Sequence, residues 1–94
     1  PPFGAMAILR AEADQPDAPA QFLEKLLAIA RGNDVEAVGP VPAPIARMAG
    51  RHRFQGLLLS PDRNRLHRAL RAIAQTQQRG KLRWSIDVDP VDAS

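Results

Sequence analysis

The sequence predicts an α+β fold, a ferredoxin-like split β-α-β-β-α-β two-layer sandwich with a four-stranded sheet and two helices on one of its faces. Two segments carry apolar residues at helical spacing, and the segments around them carry strand patterns in that order. The length of 94 residues and the hydrophobic fraction of 45% suit a single domain spanning residues 1–94. No run of about 18 apolar residues is present, which argues against a transmembrane helix.

The first two elements are a strand and a helix. Phe3–Ala13 has apolar residues at both alternating sets of positions, which is typical of a strand inside a sheet. Asp17 is a favourable N-cap residue, and apolar residues then recur at helical spacing over Ala18–Arg31. Gly32 and Asn33 supply the helix stop.

Two further strands are predicted on either side of a proline-rich stretch. Val35–Val38 predicts a short strand, Ile45–Met48 can begin an extended segment, and Arg51–Leu59 predicts a clearer strand. Gly39–Pro44 contains too many prolines for a helix or a central strand, so we expect a stiff connection there. The clearer strand divides its side chains between two faces, with Arg51, Arg53 and Gln55 on one and His52, Phe54 and Leu58 on the other.

A second helix and a last strand complete the order. Ser60 is expected to cap the helix, Pro61 to occupy its first position and Gly80 to end it, while Asp62 places negative charge at the positive end of the helix dipole. Leu82–Val88 alternates apolar and polar residues, as a half-buried strand does. The helix is expected to bury Leu66, Leu70, Ile73 and Ala74 and to expose Arg63, Arg65, His67, Arg68, Arg71 and Arg79.

The charge of the chain is distributed unevenly. The formal net charge of +3 resolves into −3 over residues 1–46, +9 over residues 47–86 and −3 over residues 87–94. A block of +9 is typical of a polyanion-binding surface, and most of its charge is arginine, whose planar fork fits phosphate. The alternative is a solvated face that reflects the codon usage of a GC-rich genome.

Residues for catalysis or metal binding are scarce. Cysteine is absent, and His52 and His67 lie on different predicted elements, so neither a thiol nor a histidine pair is available. Asp87 and Asp89 share a strand face, but such carboxylates more often pair with neighbouring arginines than hold a cation. The sequence has no glycine-rich phosphate loop and no Gly-x-Ser-x-Gly motif. We therefore expect no enzymatic activity and no cofactor in this chain.

The aromatic residues do not suit an RNA-recognition motif, which stacks bases on aromatic side chains of its sheet. Phe22 lies in the first predicted helix, and Phe54 and Trp84 fall on the apolar side of their strands. Any contact with nucleic acid is therefore expected to be made mainly with phosphate groups.

Three segments carry distinctive patterns: Val38–Arg47 (VGPVPAPIAR), Gly50–Gln55 (GRHRFQ) and Leu82–Pro90 (LRWSIDVDP). Together they resemble a known family, the carboxy-terminal domain of primosomal protein N′ (PriA), the bacterial replication-restart helicase. The ending DVDP, a few residues from the terminus, is specific. The sequence departs from the family at His52, where tyrosine is common.

The resemblance implies a larger protein and its partners. The whole protein would be an ATP-dependent 3′→5′ DNA helicase at stalled forks, with ATP, magnesium and zinc bound by other domains. This domain would share the fold of ribosomal protein S10. Its partners would be branched or single-stranded DNA, single-stranded-DNA-binding protein, the helicase and zinc domains of its own chain and other primosome proteins, but no membrane. A start at Pro1 without an initiator methionine fits a piece of a longer chain, and we expect it in the bacterial cytoplasm, at the nucleoid.

Three roles stay open for the domain. As an accessory DNA-binding domain it would contact phosphate groups through Arg47, Arg51, Arg53 and Lys81. As a protein-interaction module it would receive the acidic tail of single-stranded-DNA-binding protein at Arg63 and His67, which are four residues apart at the start of the second helix. As a structural packing domain it would hold the helicase lobes.

Overall fold

The computed structural model describes residues 4–78 and 80–89, and its elements follow the predicted order. They are β1 (Ala5–Ala13), α1 (Ala18–Gly32), β2 (Glu36–Met48), β3 (Arg51–Ser60), α2 (Arg63–Ala74) and β4 (Arg83–Val88). The strands form one antiparallel sheet in the order β2-β3-β1-β4. The prediction of a split β-α-β-β-α-β sandwich is confirmed. The predictions for Phe3, Arg79 and Pro90 fall outside the described residues.

The hydrophobic core lies between the sheet and the two helices. Every second residue of β1 is buried, and β1 lies between β3 and β4, as predicted for an internal strand. Leu9, Leu23 and Leu66 bring the sheet, α1 and α2 together in this core. Trp84 packs edge-on against Phe22, with ring centroids 5.4 Å apart, so Trp84 faces the helices as its position in the alternation predicts. Neither helix among the described residues is long and apolar enough to cross a membrane.

The start of α1 agrees with the prediction more closely than the start of α2. Asp17 is the N-cap of α1 as predicted, but its side chain makes no capping hydrogen bond. α2 begins at Arg63 because Asp62 is its N-cap, and the Asp62 carboxylate accepts from the backbone N–H groups two and three residues further on, at 2.8 and 3.4 Å. Ser60 is instead the last residue of β3, and Pro61 precedes the helix.

α2 also ends earlier than predicted. Its last residue is Ala74 rather than a residue next to Gly80. Ala74, which was predicted to be buried, is exposed. Ala69 is buried in the stripe instead. The segment from Gln75 to Gln78 is entirely polar, so it offers no side chain that could extend the stripe against the sheet.

The proline-rich stretch is part of a strand, and the prediction of a stiff connection was wrong. β2 runs from Glu36 to Met48 along one edge of the sheet. An edge strand tolerates proline because only one of its sides needs backbone N–H donors. The register with β3 shifts between Val38 and Val41 and again before Arg47. Gly39 occupies the first shift with a φ of +112°, which favours glycine.

Candidate nucleic-acid interface

One face of the sheet has no helix on it among the described residues, and we call it the open face. Directly opposed residues of antiparallel strands point to the same side, so the register determines which side chains share this face. Glu12 lies between Arg53 and Arg83, and Arg10 lies between Gln55 and Ser85. We define the charged half of the open face as Arg10, Glu12, Arg51, Arg53, Gln55, Arg83 and Ser85.

A shallow groove of about 260 Å³ runs over the charged half. Side chains from β1, β3 and β4 line it, and Ala43 contributes from β2 at one side. The charged residues in its lining are Arg10, Arg53, Arg83 and Glu12, so positive charge predominates. Guanidinium groups spread along an open groove suit a row of phosphate groups better than a small enclosed ligand.

Arg51 is committed to contacts within the domain. Its Nε lies 2.7 Å from Oε2 of Glu12, and its Nη1 lies 3.4 Å from Oδ1 of Asp14. Its Nη2 donates to the carbonyl oxygens of Glu12 at 3.2 Å and Lys81 at 2.9 Å. The side chain is only 17% exposed. Arg51 therefore lies on the predicted face, but its guanidinium has little capacity left for a phosphate.

The other arginines of the charged half make fewer contacts within the domain. Nη1 of Arg53 donates to the carbonyl oxygen of Ile45 at 3.2 Å, and Nη1 of Arg10 lies 3.2 Å from Oδ2 of Asp87 in a solvent-exposed pair. Arg83 is exposed, and its side chain makes no hydrogen bond or ion pair with the described residues. The neighbouring arginine that pairs with Asp87 is Arg10. Arg83 and Arg53 are thus the cations most available in the groove.

Arg47 and Lys81 lie at the margins of this surface. Arg47 is exposed and is opposite His52, so it is out of phase with Arg51 and Arg53 and does not join the groove. Lys81 is exposed just before β4 and lines a separate depression of about 610 Å³, together with Lys25 of α1. The four predicted DNA-binding residues therefore do not form one cluster.

Arg63 and His67 lie in the helix layer, on the opposite side of the sheet from the groove. Both are exposed, and neither side chain makes a hydrogen bond or an ion pair with the described residues. The carboxylate of Asp62 already accepts from two backbone N–H groups of the first turn. An incoming carboxylate would therefore meet the side chains of Arg63 and His67 rather than a free helix N-terminus.

Metal binding has no support among the described residues, because no three histidine or carboxylate side chains gather there in a group that could hold an ion.

Two groove residues, Arg10 and Arg83, were not singled out from the sequence. Arg83 belongs to the polar set of β4, and Arg10 belongs to the set of β1 that alternates with the inward-facing Leu9. That alternation is the available signal for their face. Their proximity to Arg53 depends on the strand order, which the local pattern does not contain.

Comparisons with known proteins point in one direction. The model of the family described as "Primosomal protein N C-terminal domain" matches residues 1–91. A curated protein, "Replication restart protein PriA" of Haemophilus influenzae (strain ATCC 51907 / DSM 11121 / KW20 / Rd), is 33% identical over 99 residues; the match covers 100% of this chain and 14% of that protein. A solved structure, "De novo designed protein Foldit4", has a TM-score of 0.61 at 9% identity, covering 87% of this chain and 93% of that one. The last likeness concerns the fold alone.

Proposed function

The chain belongs to the family of primosomal protein N C-terminal domains, and on this premise we propose that it is an accessory domain that binds the backbone of branched or single-stranded DNA. The observation that carries the proposal is the groove on the open face, with Arg10, Arg53 and Arg83 in its lining. Its ligand would be the phosphate chain, because arginine forks pair well with phosphate oxygens.

The absence of an aromatic platform supports backbone contact rather than base recognition. Phe22 and Trp84 pack against each other on the helix side; Phe54 and Trp84 both border the groove, but both belong to the helix-facing set of their strands. Binding that depends on phosphate alone is insensitive to sequence and steeply dependent on salt. The insensitivity to sequence is the property that a domain needs in order to hold DNA of any sequence.

The wider setting is part of the same proposal. The chain spans about 14% of the length of the curated relative that it matches. We place it in a PriA-type replication-restart helicase of the bacterial cytoplasm, with ATP, magnesium and zinc bound by other domains and other primosome proteins as partners. In that setting the domain contributes affinity for the fork and takes no part in catalysis.

The test measures fluorescence anisotropy of labelled forked DNA over a range of salt concentrations. The double variant Arg53→Ala/Arg83→Ala should weaken binding and reduce the log–log salt slope by roughly one to two units, because about that many phosphate contacts are lost. Arg68→Ala/Arg71→Ala removes the same charge from exposed positions in the helix layer and serves as the control. A slope that is unchanged in the first variant, or that falls equally in both, contradicts the proposal.

A second function is supported by one observation in the helix layer. Arg63 and His67 are exposed without partners among the described residues, and α2 contains no acidic residue from Arg63 to Ala74. Such a surface suits the acidic carboxy-terminal tail of single-stranded-DNA-binding protein. Titrating a labelled tail peptide should give binding that Arg63→Ala/His67→Ala weakens and that the α1 variant Lys25→Ala leaves unchanged. Equal affinity for all three proteins rejects this site.

A further inference from the structure

The open face has a second half, which is apolar. In one row across the strands, Leu57 and Ile8 lie side by side between Val38 at one edge and Asp87 at the other. In the next row Leu59 lies between Glu36 and Met6. We define the apolar half of the open face as Met6, Ile8, Val38, Leu57 and Leu59.

These side chains lie on the side of the sheet away from the core. Val38 is 48% exposed, and no described element covers the partly exposed Met6, Ile8, Leu57 and Leu59. Their neighbours in sequence on β1 and β3, such as Ala7 and Leu58, are fully buried against the helices. Single exposed apolar residues are ordinary, but a contiguous group on one surface is typical of an interaction site.

Carboxylates border the apolar half at both edges. Glu36 lies on the β2 side, and Asp87 and Asp89 lie on the β4 side. A depression of about 180 Å³ at the β4 side is lined by Met6, Ala7, Ile8, Asp87 and Asp89. An apolar floor with two carboxylates, of which Asp87 also pairs with Arg10 at 3.2 Å, fits a side chain with an aliphatic stem and a cationic end, which describes lysine and arginine.

We propose that the apolar half is a docking surface for another part of a longer polypeptide to which this chain belongs, a segment that presents aliphatic side chains flanked by lysine or arginine. The curated relative extends far beyond the matched region, since the match covers only 14% of it. In a protein of that length, another segment of the same polypeptide is available to cover the surface. The proposal does not depend on DNA binding by the charged half.

The acidic border argues against two other occupants of the apolar half, DNA and a second copy of this chain. DNA would bring phosphate groups toward Glu36, Asp87 and Asp89, which repel them. A second copy that covered the same surface about a two-fold axis would bring the carboxylates of both copies together. A basic and aliphatic segment avoids both conflicts.

The test is hydroxyl-radical footprinting, read residue by residue by mass spectrometry, on the isolated chain and on the product of the complete reading frame that contains it. The oxidation rates of Met6 and Leu57 should fall at least about fivefold in the complete protein, because the centre of a protein interface excludes water. Met48 is the matched control: it lies beyond both register shifts of β2, is 50% exposed, and should keep its rate. Unchanged rates at Met6 and Leu57, or an equal fall at Met48, overturn the proposal.

A pair of variants, both made in the complete protein, tests the proposal without a comparison between the isolated chain and the complete protein. Val38→Lys in the complete protein should restore the oxidation rate of Met6, because it places a cation against the basic, aliphatic segment. Ile45→Lys changes a residue that is 55% exposed in the shifted part of β2 and should leave Met6 protected. Protection in both variants overturns the proposal. Protection of Met6 in the isolated chain that increases with concentration would identify a second copy instead, and also overturns it.

Discussion

Nε of Arg51 lies 2.7 Å from Oε2 of Glu12, although the residue directly opposite Glu12 in the β1–β3 register is Arg53, two positions further along β3. The same guanidinium donates to the carbonyl oxygen of Lys81, just before β4. One half-buried side chain thus ties together β3, β1 and the approach to β4. A residue that the sequence suggested as a phosphate ligand has a structural role in this geometry.

Replacing this arginine should destabilise the fold. Arg51→Ala leaves Glu12 half-buried without its cation, and we expect the free energy of unfolding to fall by about 1–3 kcal/mol. Urea denaturation followed by Trp84 fluorescence measures this change. Arg83→Ala, at an exposed position without partners among the described residues, should change it by less than about 0.5 kcal/mol. Equal effects of the two variants would show that Arg51 is not a structural residue.

The two aspartates that precede helices should differ in their contribution to stability. The side chain of Asp62 caps α2 with two hydrogen bonds, whereas the side chain of Asp17 makes none to α1. Asp62→Ala should therefore lower the free energy of unfolding by about 1 kcal/mol, and Asp17→Ala by only a few tenths of that. Thermal denaturation monitored by circular dichroism compares them under the same conditions. A larger loss for Asp17→Ala would contradict the capping geometry.

Gly56 should be intolerant of a side chain. A Cβ atom at this position of β3 would lie 3.0 Å from Cδ2 of Leu27 in α1. We expect Gly56→Ala to lower the free energy of unfolding by about 1–3 kcal/mol, because Leu27 must shift in a packed core. Gly32→Ala, at the end of α1 where a Cβ would meet nothing within 4 Å, should be neutral or stabilising. Denaturation midpoints of the pair provide the measurement, and equal midpoints would be the contrary result.

The alternation of apolar and polar residues predicted much of the open face. It assigned Arg51 and Arg53 to one side of β3, and it assigned Phe54 and Trp84 to the helix side, as the structure has them. A period of two is a local property of a strand, so it can be recognised without knowledge of the neighbouring strands.

Strand order and ion pairing could not be predicted in the same way. Glu12 lies next to both Arg53 and Arg83 only because β1 is between β3 and β4. The capture of Arg51 by Glu12 depends on that order and on the reach of a long side chain across a diagonal. The local pattern gives the face of each residue, but it does not give the partner that neutralises its charge.

The ion pair between Arg10 and Asp87 predicts a variant that strengthens DNA binding, whereas the arginine variants weaken it. Their exposed side chains approach to 3.2 Å beside the groove, so Asp87 competes with a phosphate for the guanidinium of Arg10. Asp87→Asn should tighten the binding of forked DNA and steepen the log–log salt slope by about 0.7–0.9, the value for one further phosphate contact. Asp17→Asn makes the same change of net charge in the helix layer, away from the groove. An unchanged slope for Asp87→Asn would mean that Arg10 gains no phosphate contact. The same change for Asp17→Asn would mean that net charge, and not the release of Arg10, governs the affinity.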